Sequence, residues 1–209
     1  MSAGRRALSL AVLAAGFGAI IAGVVTLHAP GRAPADAGVL PPLVPSATPA
    51  APRTSAAPDG PADIFPAPAR VVIAALKVDA PVDPAGVTHG GELGIPEDPS
   101  RLGWWIGSAQ PGEPRGTVLI AGHVDTRADG PGALFRLEDL PMGAAIQVRA
   151  DGRTQQYRAV ARRSYVKRRL PADLFSTGTE PRLALITCGG TFRDGTYSHN
   201  VVVYAEPVR

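Results

Sequence analysis

Cysteine occurs once in the 209-residue sequence, at position 188, where the apolar segment RLALITC (182–188) ends. A thiolate is a strong nucleophile, and a neighbouring histidine can favour the thiolate and later protonate a leaving amine. His123 lies near the end of a second apolar segment, GTVLIAGHV (116–124), and glycines flank both residues. Because side chains at strand ends sit on a rigid scaffold yet face a cleft, we predict that Cys188 and His123 form a catalytic pair.

Each of these residues also has a purely structural interpretation. A free cysteine is often a small, inert core residue, and a lone histidine can be a hydrogen-bonded core side chain. His199, which precedes the last apolar run, is the alternative catalytic base. A metal site is not predicted, because the spacing of His123, Asp125 and Cys188 does not match zinc-ligand patterns, and no cofactor is expected.

Short apolar or alternating runs, separated by glycine and proline, make up residues 70–209 and predict strands. Many short strands in about 140 residues indicate an all-β domain, either a closed barrel or a sandwich. Two further segments predict short helical turns, at 131–140 and 171–175. The predicted strands are 70–78, 116–124, 145–150, 155–166, 182–188 and 200–208.

The N-terminal residues form two segments of contrasting composition. After Arg5 and Arg6, the run 7–27 carries no charge and would span roughly 30 Å as a helix, about the thickness of a hydrocarbon core. Residues 1–28 are therefore predicted to be a single-pass signal anchor, with the following domain outside the cytoplasm. Cleavage within 28–37 is the alternative. Residues 29–69 hold about half of the 22 prolines and are predicted to be a disordered, Pro/Ala-rich stalk.

The charge distribution argues against nucleic acid as a partner. The formal net charge is +3, and only two of the 21 basic residues, Lys77 and Lys167, are lysines. The densest basic tract, 162–169, lacks the interleaved aromatic residues of a nucleic-acid surface and is interpreted as a solvated strand face.

The domain resembles the sortase family, and within it the class F sortases. The paired signatures are G-H-V-D-T around His123 and T-C-G-G around Cys188, about sixty residues later. The resemblance extends over essentially 69–208. Its matching segments are 70–87, 91–126, 183–192 and 197–205.

This resemblance implies a closed, eight-stranded barrel and a cysteine transpeptidase that acts as a monomer. Such enzymes cleave exported proteins at an LPXTG-like C-terminal signal, between Thr and Gly. The acyl group passes to the thiol and then to an amine of a cell-wall precursor. Cys188 matches the family's nucleophile, and His123 matches its acid/base.

The third catalytic member of the family is an arginine that contacts the signal and the oxyanion. Class F chains carry it in a Y-R-D-N motif before the last strand, where this sequence has Ser198 at the arginine's position. Arg193, five residues after the thiol, is the predicted substitute. In the matching segments Thr187, Gly189 and Asn200 are predicted to bind substrate.

Two other functions remain open at this stage. A Cys-His peptidase would release the acyl group to water, and only the acceptor distinguishes it from a transpeptidase. A surface-tethered binding barrel without catalysis is kept open by the missing arginine. An L,D-transpeptidase is disfavoured, because that family's S-H-G-C pattern is absent around Cys188.

Overall fold

A computed structural model describes residues 33–40, 66–89 and 92–208. The predicted anchor, 1–28, lies outside these residues, as does most of the predicted stalk. Among the described residues, no helix has the length and apolarity needed to cross a bilayer. The described part of the chain is built almost entirely from strands and short 3-10 turns.

Eight strands form a closed barrel, as the resemblance implied. They are β2 (Arg70–Ile73), β3 (Val78–Ala85), β4 (Leu102–Trp105), β5 (Thr117–Ala121), β8 (Ala145–Ala150), β9 (Arg153–Val166), β10 (Arg182–Arg193) and β11 (Thr196–Pro207). Their order around the barrel is β9-β11-β10-β5-β4-β3-β2-β8, and pairing of β8 with β9 closes it. A further strand, β1 (Ala37–Gly38), adds to the edge of β9, and β6 (Asp125–Thr126) pairs with β7 (Gly130–Pro131) outside the barrel.

Burial explains why some strands read as continuous apolar runs. One cluster of buried side chains draws on all eight barrel strands, including Val118 and Ile120 of β5, and fills the interior. A second cluster uses the alternate residues of β5, Leu119 and Ala121, together with Leu174 from the 3-10 turn Ala172–Phe175. Because β5 is covered on both faces, every one of its residues is buried and none needs to be polar.

The prediction of one continuous strand over 70–78 is wrong. The chain forms β2, reverses through a 3-10 turn at Ala74–Leu76, and returns antiparallel as β3. Lys77 closes the turn in the left-handed region, at φ 58°. Lysine rarely adopts this conformation, so the sequence carries no turn signal of the glycine or asparagine kind.

The prediction that 29–69 is a disordered stalk is also wrong for residues 33–40, which form a short strand on the barrel. Ala37 and Gly38 pair with Arg162 and Ala161 of β9. β8 pairs with β9 as far as Arg158, and Gly143 and Ala144 extend the hydrogen bonding to Ala159, so the edge beyond Ala159 has open hydrogen-bonding groups. A proline-rich segment that is too short to form its own core can still hydrogen-bond to the open N–H and C=O groups of such an edge.

Arginines from the basic tract hold this docked segment in place. Arg162 donates to the Ala35 carbonyl at 3.1 Å, and Arg163 donates to the Ala37 carbonyl at 2.7 Å. The Asp36 carboxylate accepts from the Ser164 N–H at 2.9 Å. At this end, therefore, the tract is not a solvated strand face but a binding surface for the chain's own N-terminal part.

Candidate active site

Two parallel neighbours, β5 and β10, bring His123 and Cys188 to the same edge of the barrel. Their last register pair is Ala121 with Ile186. His123 and Cys188 each follow this pair by two positions. Because adjacent strands lie only about 4.8 Å apart, residues at equivalent positions emerge side by side. The register thus places both residues at the same edge of the barrel, and their action as a catalytic pair stays a prediction.

Two hydrogen bonds hold the ends of these strands in register. The Gly122 N–H donates to the Ile186 carbonyl at 3.0 Å, and the Thr187 hydroxyl donates to the Gly122 carbonyl at 2.9 Å. Thr187 is buried, and although it also lines the cleft, its hydroxyl is engaged in this bond. Thr187 therefore fixes the backbone on which His123 is mounted.

Cys188 is a free, half-buried thiol beside a cleft of about 370 Å³. Pro34, Phe135, Arg136 and Tyr197 are among the other residues that line the cleft. Pro34 comes from the docked N-terminal segment, so that segment forms part of the wall. The thiol is consequently reachable from a groove large enough for a few residues of peptide.

A β-bulge shapes the hairpin immediately after the thiol. The register of β10 with β11 shifts between Gly189 and Phe192. Gly190 lies there at φ +79°, and a Cβ on it would come within 2.5 Å of the Ser198 hydroxyl oxygen. Only glycine meets both conditions, which accounts for the second glycine of T-C-G-G.

His123 is half-buried, and its ring orientation is set by the backbone. Its Nε2 lies 3.1 Å from the Pro96 carbonyl oxygen. Since a carbonyl can only accept, Nε2 carries the proton of this hydrogen bond. In the neutral ring the lone pair is then on Nδ1, and that nitrogen is the one available for proton transfer.

Tyr197 links the loop after His123 to the hairpin after Cys188. Its hydroxyl donates to Asp125 Oδ2 at 2.6 Å. Partial burial, together with the Asp125 carboxylate, raises the pKa of Tyr197 to about 12, so the phenol remains a donor. Sequence reasoning missed this bond, although Asp125 lies in G-H-V-D-T and Tyr197 lies in a segment that matched the family.

Lys167 contacts the nucleophile directly. Its ammonium Nζ lies 2.9 Å from Cys188 Sγ. The sequence placed this lysine in the basic tract and gave it no role. The only signal that could have found it is its rarity, since one of the two lysines in an arginine-rich chain falls here.

The residues predicted near the arginine position have other surroundings. The Ser198 hydroxyl accepts from the Thr191 N–H at 2.9 Å and lies 2.8 Å from His199 Nδ1. Arg193 is exposed near the tip of the β10–β11 hairpin, where it is the register partner of Thr196, and its side chain makes no hydrogen bond or ion pair with another residue that the structure describes. Its catalytic role, like the substrate-binding roles of Gly189 and Asn200, stays a prediction. Asn200 is buried and is the register partner of Cys188.

Within 33–40, 66–89 and 92–208, no group of three or more His, Cys, Asp or Glu side chains is arranged to hold a metal ion.

Comparisons with known proteins connect this geometry to a family. A sequence model described as "Sortase domain" matches residues 71–208, which include both His123 and Cys188. A comparison with curated protein sequences finds no significant match.

Solved structures with the same fold are sortases. Sortase A from Corynebacterium diphtheriae, a lid mutant, is 23% identical with a TM-score of 0.54, over 69% of this chain and 72% of that one. Sortase C-1 from Actinomyces oris is 22% identical at 0.51, over 67% and 73%. Sortase E1 from Streptomyces coelicolor, with a tripeptide in its active site, is 17% identical at 0.54, over 68% and 88%.

These likenesses show a shared fold, and the match of the family model over most of the chain shows common membership. The chain belongs to the sortase family and is a cysteine transpeptidase of the sortase type.

Proposed function

We propose that this enzyme cleaves exported proteins at an LPXTG-like C-terminal signal, between Thr and Gly, and transfers the acyl group to an amine of a cell-wall precursor. The observation that carries the proposal is the free thiol of Cys188 beside an open cleft, at the same barrel edge as His123. The resemblance of the surrounding segments to class F sortases supports the choice of signal and acceptor.

Acylation of Cys188 uses His123 as its acid/base. Nδ1 of His123 takes the thiol proton as Cys188 Sγ attacks the carbonyl carbon of the Thr–Gly bond, and the carbonyl π electrons move to oxygen. The tetrahedral intermediate collapses, the C–N bond breaks, and His123 donates a proton from Nδ1 to the departing amine. The product is a thioester on Cys188, and the Pro96 carbonyl keeps the His123 ring oriented through Nε2.

Deacylation reverses the proton transfer. The acceptor amine attacks the thioester carbon, His123 takes the amine proton on Nδ1, and the C–S bond breaks to release Cys188. If water replaces the amine, the same residues hydrolyse the thioester. The choice between a transpeptidase reaction and a peptidase reaction on this chain therefore depends on which nucleophile enters the cleft.

Mass spectrometry of the 209-residue chain with an LPATG-containing peptide tests the proposal. We expect an adduct on Cys188 whose mass equals the peptide acyl group ending in Thr, and a ligated product when diglycine is added. Hydrolysed peptide as the sole product, even at high diglycine concentration, would favour the peptidase alternative.

Cys188→Ala is the matched control for this experiment. The variant should form no adduct and cleave nothing, while its unfolding free energy falls by at most about 1–2 kcal/mol, because one small side chain is lost from a partly open site. A folded wild-type chain that forms no adduct with the peptide would contradict the proposed signal. Residual cleavage by Cys188→Ala would contradict the nucleophile.

We further propose that residues 1–28 anchor the chain in the cell membrane with the barrel outside. The uncharged run 7–27 and the basic residues before it support this proposal. Fractionation of cells that express the full chain or a chain starting at residue 33 tests it. We expect only the full chain to sediment with membranes and to be degraded by protease added outside spheroplasts.

A further inference from the structure

We infer that Lys167 is the third catalytic residue of this enzyme, the cation that stabilises the negative charge on the attacking Cys188 sulfur and then on the oxyanion. The inference rests on the proposed function, because it takes Cys188 as the nucleophile. It differs from the sequence prediction, which assigned this role to Arg193. The observation that carries it is the distance of 2.9 Å between Lys167 Nζ and Cys188 Sγ.

The backbone around Lys167 fixes the direction of its side chain. Lys167 is the first residue after β9, and its N–H donates to the Ser198 carbonyl of β11 at 2.9 Å. The chain then turns sharply, with Arg168 at φ 66° and the Arg169 N–H bonded to the Val166 carbonyl at 2.9 Å. Anchored on both sides, the half-buried lysine extends across β11 to the sulfur.

The contact suits a charged pair. An ammonium has three N–H donors and no acceptor, and a thiolate accepts hydrogen bonds more strongly than a neutral thiol does. A positive charge this close to sulfur can stabilise the negative charge of the thiolate, which is the attacking form, when the reaction forms it. Lys167 therefore supplies the positive charge beside the sulfur that, in a simple Cys-His pair, only the imidazolium could supply.

Other cations near the cleft are engaged elsewhere or exposed. Arg136 lines the cleft but donates to the Asp139 carboxylate at 3.0 Å. Arg193 is exposed near the hairpin tip, and Arg168 lies 3.9 Å from Glu92 with a largely exposed side chain. Among the described residues, Lys167 is the cation whose charged group is bonded to Cys188.

The same ammonium can serve the tetrahedral intermediate. When Sγ bonds to the carbonyl carbon, the negative charge moves to the carbonyl oxygen, two bonds from sulfur and within reach of another N–H of Lys167. His123 carries the transferred proton, and the Lys167 ammonium acts only as a hydrogen-bond donor. Because lysine is a point charge without the planar two-pronged geometry of arginine, it can follow the charge from sulfur to oxygen with a small movement.

Three variants of the full chain test the inference, with Arg169→Met as the matched control. Lys167→Met removes the charge but keeps the length of the side chain, and Lys167→Arg keeps the charge. Arg169→Met removes one positive charge two residues away, from an exposed side chain. Thermal unfolding of each variant confirms that the barrel is intact.

The first measurement is the rate of Cys188 alkylation by iodoacetamide at pH 7, which needs no substrate. We expect a loss of at least about fivefold in Lys167→Met, near-wild-type rates in Lys167→Arg, and no change in Arg169→Met. Equal rates for Lys167→Met and the wild type would overturn the inference. Failure of arginine to restore the rate would also overturn it, since a cation would then not be what the thiol needs.

The second measurement is kcat/KM for cleavage of the LPATG peptide. Loss of an oxyanion donor lowers turnover by about 10²–10³-fold, so Lys167→Met should lose about that much, mainly in kcat. Unchanged kcat/KM in this variant, with cleavage still abolished in Cys188→Ala, would refute the catalytic role of Lys167 but leave Cys188 as the nucleophile. If the wild type alkylates rapidly but cleaves no peptide, the proposed signal fails, while the alkylation series still decides the role of Lys167.

Discussion

At the scale of single residues, short contacts with the backbone and with each other fix the positions and orientations of the reactive groups. His123 is oriented through Nε2 by the Pro96 carbonyl, and Cys188 Sγ lies against Lys167 Nζ. His199, the alternative base in the sequence, instead lies with its Nδ1 against the Ser198 hydroxyl. Orientation, more than residue type, separates the two histidines.

Replacement of each histidine by alanine tests this difference. His123→Ala should lower kcat/KM for the LPATG peptide by about 10²–10⁴-fold, because protonation of the leaving amine is lost. His199→Ala should lower it by less than about tenfold, since that ring serves the hairpin. Steady-state kinetics on both folded variants measures the effect. A larger loss in His199→Ala than in His123→Ala would mean that the wrong histidine has been paired with the thiol.

At the scale of elements, the site depends on joining three pieces of chain that are remote in sequence. Parallel pairing of β5 and β10 aligns the histidine and cysteine ends, and antiparallel pairing of β11 with β9 carries Lys167 to the sulfur. The Tyr197–Asp125 hydrogen bond connects the loop after β5 with the β10–β11 hairpin. The elements thus lock one another in the geometry that the chemistry needs.

Tyr197→Phe removes the hydroxyl of that connection and leaves the Asp125 carboxylate without its donor. A hydrogen bond to a charged group contributes about 1.5–3 kcal/mol, so the unfolding free energy should fall by about that amount. Looser positioning of the His123 loop should also lower kcat/KM by about tenfold. Urea unfolding and peptide cleavage measure the two effects.

Tyr165→Phe is the control for this substitution, because it removes the same atom from a hydroxyl pair that does not involve the His123 loop. Tyr165 lies 3.0 Å from the Tyr204 hydroxyl. This variant should lose stability without losing turnover. Equal losses of kcat/KM in the two variants would show that the Tyr197 bond does not position the catalytic loop.

At the scale of the whole molecule, the barrel is completed by a segment from outside it. Residues 33–40 cover the part of β9 that β8 leaves open, and Leu40 packs against the second core cluster. Pro34 of the same segment lines the cleft. The N-terminal part of the chain therefore contributes both to the stability of the barrel and to the shape of the site.

Two truncations measure that contribution. A chain that starts at residue 33 should unfold at the same temperature as the full chain, because composition predicts no packed core before it. A chain that starts at residue 41 loses the pairing with β9 and the bonds from Arg162, Arg163 and Ser164, at a cost of about 1–2 kcal/mol. Its melting temperature should fall by several degrees. Identical melting of the two chains would show that the docked segment adds nothing to stability.

Stability at alkaline pH should reflect the tyrosines. Burial raises the pKa of Tyr157 and of Tyr204, and burial with the Asp125 carboxylate raises that of Tyr197 to about 12. An unfolded tyrosine ionises near pH 10, so above that pH the unfolded chain binds fewer protons than the folded one. The stabilisation is complete below about pH 10 and is lost as the pH rises through 12. Urea unfolding from pH 8 to 11.5 should show this decline, and a flat profile above pH 10 would contradict it.

The positions of Cys188 and His123 could be predicted from the local pattern of apolar residues and glycines. Cys188 and His123 each end an apolar run beside glycine, and strand ends are read from the sequence because the period of side-chain burial is local. The continuous apolar character of β5 and β10 likewise follows from their burial on both faces. Residue types and short-range spacing thus determined the all-β class and predicted the nucleophile and its acid/base partner.

The remaining features were decided only by the tertiary structure, since they depend on which distant elements become neighbours. Lys167 meets Cys188 across β11, Tyr197 meets Asp125 across 72 residues, and residues 33–40 meet β9 across more than a hundred. No local rule links these positions. Each contact forms because closure of the barrel brings the two groups within reach or leaves unpaired backbone groups that a distant segment can bond. For this reason the sequence predicted a cation in the hairpin after the thiol, at Arg193, whereas the fold places Lys167, from the end of β9 on the other side of β11, against the sulfur.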